Sequence, residues 1–146
     1  MSDIDYELLA AAYLSNYDQV INVIMNGADI NIKNENGITP LMYASKNGSL
    51  DIVSELVYLG ADLDIRNDNG ETALIIAVQN GHVKIATNLI NANANIYLVD
   101  NDGKNAETYF NQFFDKVNKL NVDNDIVMTQ YNPFSNTNII TKSDVT

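Results

Sequence analysis

The chain has 146 residues, 46% of them hydrophobic, enough for one domain with a continuous core. Its 19 acidic and 8 basic residues leave a formal charge of −11, which argues against nucleic acid and favours a basic or zwitterionic protein surface as partner. The absence of cysteine removes disulfide frameworks, zinc ribbons and thiol catalysis, and fits a reducing compartment such as the cytoplasm.

Met1 to Asp5 is acidic, with neither the basic region nor the apolar segment of a secretory leader. No apolar run approaches the length of a membrane span, so no membrane partner is expected. Ser2 and Asp3 offer an N-cap, with Asp5 completing an imperfect capping box, so the first helix should start at once. Leu8, Ala11, Val20, Val23, Ile24 and Gly27-Ala28-Asp29 form a first unit that lacks a turn-rich opening. It serves as a cap, exposing Glu7, Asn16 and Asp18 at the end of a stack.

The stretch from Asn34 to Val99 contains one pattern twice, at a period of 33 residues. The first copy runs Asn34-Glu35-Asn36-Gly37-Ile38-Thr39-Pro40-Leu41, then Ala44, Asn47-Gly48, Ile52-Val53, Leu56-Val57 and Gly60-Ala61-Asp62. The second runs Asn67-Asp68-Asn69-Gly70-Glu71-Thr72-Ala73-Leu74, then Ala77, Asn80-Gly81-His82, Ile85, Leu89-Ile90 and Asn93-Ala94-Asn95. Asn, Asp and Gly supply the positive-φ positions of a tight hairpin. Thr39 and Thr72 then cap a helix, and Pro40 sits where its missing N–H costs nothing. The Asn-Gly pair stops that helix after about two turns, and a second apolar helix ends at Gly60 or Asn93 in left-handed conformation. A period of this length implies a solenoid.

These residues resemble an ankyrin repeat, a hairpin followed by two antiparallel helices. The chain departs from that family where its Thr-Pro-Leu-His motif has histidine, here Met42 and Ile75. The resemblance implies an all-α ankyrin-repeat solenoid: a cap over about 1–33, full repeats at 34–66 and 67–99, and a second cap at 100–121.

Asp100-Asn101-Asp102-Gly103-Lys104-Asn105 repeats the hairpin once more, and then the pattern breaks. Phe110 stands at the offset of Ala44 and Ala77, and Phe110, Phe113, Phe114, Val117 and Leu120 keep helical spacing without a stop. One longer helix from Ala106 to about Leu120 should close the stack. Residues 122–146 show neither helical nor strand period and are assigned no regular structure. They include Asn132-Pro133-Phe134, which resembles the short motif bound by EH domains in endocytic adaptors.

No constellation for catalysis, metal or cofactor stands out. His82 is the only histidine and falls where the resemblance expects a structural one. The glycines never bunch into a phosphate-binding loop, and Asp62 with Asp64, or Asp100 with Asp102, lie on turns without the remaining ligands of a calcium loop. The resemblance implies a non-catalytic module that binds a partner protein through a concave face. The positions that vary between copies are Lys33, Glu35, Asn36 and Ile38, then Arg66, Asp68, Asn69 and Glu71, then Val99, Asn101, Asp102 and Lys104 on the tips. On the first helices they are Tyr13, Ser45 with Lys46, and Val78 with Gln79; Tyr43 joins them near the centre. Tyr13 and Ile38 stand out as exposed apolar groups. The expected protein is a monomer in the cytoplasm of its own cell or of a host. The competing readings are an assembly subunit whose ends stack, and a host-directed effector whose tail motif recruits an EH-domain protein.

Overall fold

The computed structural model describes residues 2–120, 130–135 and 137–139. The chain opens with a helical pair, α1 (Asp3–Tyr13) and α2 (Tyr17–Met25). Ser2 N–H donates to the Asp5 carboxylate at 3.0 Å, and the other carboxylate oxygen accepts the Asp29 amide at 2.9 Å. One side chain thus ties the start of α1 to the turn after α2. The Ser2 hydroxyl above all, then the Asp29 and Ser2 amides, hold the Asp5 carboxyl below its ordinary range.

Two full repeats follow as α3 (Pro40–Asn47) with α4 (Leu50–Tyr58), and α5 (Ala73–Gln79) with α6 (Val83–Asn91). Thr39 Oγ1 accepts the Met42 amide at 3.2 Å, and Thr72 Oγ1 accepts the Ile75 amide at 3.3 Å, so both expected caps form. Gly60 (φ 87°) and Asn93 (φ 68°) take the expected left-handed conformation at helix ends, and Gly48 (φ 78°) does so at the end of α3. Met42 and Ile75 are buried, so at the position of the family's histidine they fill the core.

The first helices α1, α3, α5 and α7 (Ala106–Leu120) pack on one another in series, far more closely than the second helices α2, α4 and α6. The cause is side-chain size: Ala11, Ala44 and Ala77 share one offset and are buried, which lets adjacent backbones approach. The second helices meet through bulkier residues such as Val23, Ile52, Leu56, Ile85 and Leu89. A row spaced more closely on one side curves, and its concave face lies along the first helices. α7 runs on as the single long helix expected, with Phe110 buried at the alanine offset and its ring stacked on Phe114 at 6.5 Å.

The hairpin tips are bonded into a column. Within a tip, Asn34 N–H donates to Ile38 O and Gly37 N–H to Asn34 O, both at 3.0 Å, while Asn34 Oδ1 accepts the Asn36 and Ile38 amides. Between tips, Asp68 N–H donates to Asn36 O at 3.1 Å and Asn101 N–H to Asn69 O at 2.9 Å. A Cβ on Gly70 would stand 2.7 Å from Asn101 Oδ1 and 2.9 Å from Asn101 N, whereas one on Gly103 would meet nothing within 4 Å among the described residues. Gly70→Ala and Gly103→Ala both force alanine to positive φ, at about 1 kcal/mol each. Only at Gly70 must the next tip also move, so its urea midpoint should fall clearly further. Equal midpoints would show that the tips do not support one another.

The expectation of no regular structure in residues 122–146 is corrected where the chain is described. β1 (Gln130–Asn132) and β2 (Thr137–Ile139) pair antiparallel, with Tyr131 opposite Asn138. At the turn between them Pro133 is buried, and half-buried Phe134 meets Phe110 edge-on at 5.7 Å. Among the described residues no further repeat covers the ring of Phe110, and Phe134 takes the neighbouring place. The boundary placed at residue 121 lies outside the described residues.

Candidate partner-binding face

Tyr13, Lys46 and Gln79 recur at one offset on successive first helices, and all three are exposed. Tyr13 is 62% exposed, and its ring stands edge-on to Tyr43 at 5.4 Å and 78°. Tyr43 is half-buried, and its hydroxyl accepts the Asn34 side-chain amide at 3.0 Å. Ser45 and Val78, expected to vary as surface positions, are instead buried at 0% and 5% exposure. One residue back from Lys46 or Gln79, the helix turns about 100° and points into the gap between first helices. Among the described residues Ser45 Oγ, buried there, has no hydrogen-bond partner.

The helix ends that carry this line are fixed by the following repeat. Asn47 Nδ2 donates to Tyr13 O at 2.8 Å, and His82 Nε2 lies 3.0 Å from Lys46 O, where its N–H donates to a carbonyl left open by the end of α3. His82 therefore has the structural role expected of it. Its ring fills the space a Cβ on Gly48 would need, at 2.7 Å.

On the tips, Lys33, Glu35, Asn36, Asp68, Asn69, Asn101 and Asp102 are exposed. Arg66, expected to face a partner, is exposed as well, and its Nε donates to Gly70 O at 3.0 Å and its Nη2 to Val99 O at 2.7 Å, binding its own tip to the next. Asn101 is likewise drawn into the column, its side-chain amide donating to Asp68 O at 2.9 Å. Ile38, expected to be an exposed apolar group, is half-buried against the core because the tip folds back over α3. Glu71 accepts the Asn67 side-chain amide at 2.8 Å, which leaves part of its carboxylate facing outward. Gln112, one period after Gln79, is exposed and continues the first-helix line. The break in pattern at Phe110 hid it, although the offset of 33 residues points to it.

The acidic pairs on the turns serve the backbone: Asp62 Oδ1 accepts the Asp64 amide at 3.0 Å, and Asp64 Oδ1 accepts the Asn95 amide at 2.8 Å. Asp100 is the most enclosed of these groups, at 6% exposure. Desolvation works against its charge, but the Tyr109 hydroxyl and the Lys104 and Asp102 amides outweigh it and hold the carboxyl below its ordinary 3.8. The same bond to Asp100, then burial, pushes the Tyr109 phenol up. Because the folded carboxyl is the stronger acid, its stabilisation is complete above the ordinary value and is lost as pH falls through the lower, folded one. Asp100→Asn should therefore flatten the stability profile below about pH 4. At neutral pH it should change stability by less than about 1 kcal/mol, since Asn34 with Tyr43 shows the amide version of this contact. Acid titration of both proteins checks this; superimposable acid limbs would refute it.

Helical pairs stacked in one direction, joined by hairpin tips bonded to one another, define a repeat solenoid, a class of protein whose working part is an extended surface. A family model described as ankyrin repeats, in three copies, matches residues 8–102. The chain belongs to the ankyrin-repeat family. No curated protein matches it. Ankyrin repeats generally mediate protein–protein interaction, and the family is typically non-catalytic. Among the described residues no helix is long and apolar enough to cross a membrane.

Proposed function

We propose that this protein is a non-catalytic interaction module of the cytoplasm, its own cell's or a host's, which takes a partner protein along its concave face. The observation that carries the proposal is Tyr13: a large ring, 62% exposed, yet braced by Tyr43 and set on a helix end that Asn47 holds. An aromatic group fixed in advance loses little entropy on binding, and such groups dominate interface energetics. Lys46, Gln79 and the outward part of Glu71 extend the face, with Lys33, Glu35, Asn36, Asp68, Asn69 and Asp102 on its rim. Arg66, Asn101 and Ile38 act mainly through the scaffold that shapes it.

A pull-down from native cytoplasm with wild type and with Tyr13→Ser/Lys46→Glu tests the reading. The partner should be retained by the first and lost by the second. A partner held equally by both would move the binding site elsewhere, and a dimer by light scattering without any partner would favour the assembly subunit. Recruitment of an EH-domain protein fits the structure less well, since Pro133 is buried and Phe134 lies against Phe110.

A further inference from the structure

The contact between the tail and α7 has the form of a ligand in a site. Asn132 Oδ1 accepts the Phe134 amide at 2.9 Å, closing a turn around Pro133. Pro133 is buried, and the Phe134 ring meets Phe110 at 5.7 Å and 60°. Phe110, 2% exposed, lies nearly parallel to Phe114, at 8° between planes. The receiving surface exists because the repeat pattern stops: a phenylalanine replaces the alanine that would admit another helical pair, and the pairing of β1 with β2 brings the turn to it.

We infer that the face of α7 around Phe110 and Phe114 is a binding site for short peptide segments carrying an Asn-Pro-Phe turn, which residues 132–134 of the chain itself occupy. The turn chemistry suits such a site. Proline and the Asn132 side-chain bond fix the backbone beforehand, so little entropy is lost on docking. The phenylalanine ring then supplies the buried area and an edge-to-face contact. The tether keeps this occupant at an effective concentration on the order of millimolar, so a peptide in trans reaches the site only against that competition.

The test uses the full chain and a fluorescent peptide spanning residues 128–139. Phe134→Ser changes no residue of α1–α7 and should keep the wild-type helical circular dichroism while leaving the site vacant. The peptide should bind this variant saturably and bind wild type at least about tenfold more weakly, as the tethered competitor requires. A peptide with serine in place of Phe134 should bind neither. Equal binding to variant and wild type, binding to neither, or equal binding by the serine peptide would each overturn the inference.

Discussion

Truncating Phe110 to alanine is expected to cost about 3 to 5 kcal/mol, although alanine is the native residue at this offset in the internal repeats. The difference lies in what comes next along the stack. After Ala44 and Ala77 another first helix fills the space, whereas after Phe110, among the described residues, the rings of Phe114 and Phe134 lie against it. Removing the ring leaves a cavity that the rigid α5–α7 contact cannot close. Urea unfolding measures the loss, and a cost under about 1 kcal/mol would mean that the end of the solenoid collapses freely.

The reverse change, Ala77→Phe, should cost about 1 to 3 kcal/mol by overpacking. Ala77 has no exposed surface and sits on α5 between α3 and α7, so a ring there must push one neighbour away. An unchanged urea midpoint would count against the alignment of Ala44, Ala77 and Phe110 at one structural position. Measured together, the two variants show whether residue size at this one offset decides between continuing the stack and ending it.

The fold was legible because a 33-residue period lets each position be compared with its equivalents. Thr39 and Thr72, Gly48, Asn93 and the alanines each carry a local conformational or size requirement that shows in residue type alone. The binding face was less legible because place in a column does not say what a side chain reaches. Arg66 belongs to the tip column by offset, yet its guanidinium spans to the carbonyl of Val99 in the next repeat, a contact of the stacked structure rather than of the repeat. Ser45 and Lys46 are neighbours in sequence and differ completely in burial, which depends on how closely α1, α3 and α5 approach. The strands of the tail are three residues each, shorter than any period can reveal, and the contact of Phe134 with Phe110 depends on where the repeat ends.

The most direct measurement of the central claim is a calorimetric titration of the captured partner into wild type, Tyr13→Ser/Lys46→Glu and Tyr58→Ser. Tyr58 is 82% exposed at the end of α4, on the side of the second helices, and controls for the loss of any exposed tyrosine. The double variant should bind at least about 2 kcal/mol more weakly than wild type with little change in urea midpoint, while Tyr58→Ser binds as wild type does. Undiminished affinity in the double variant, or an equal loss in Tyr58→Ser, would contradict a partner site on the concave face.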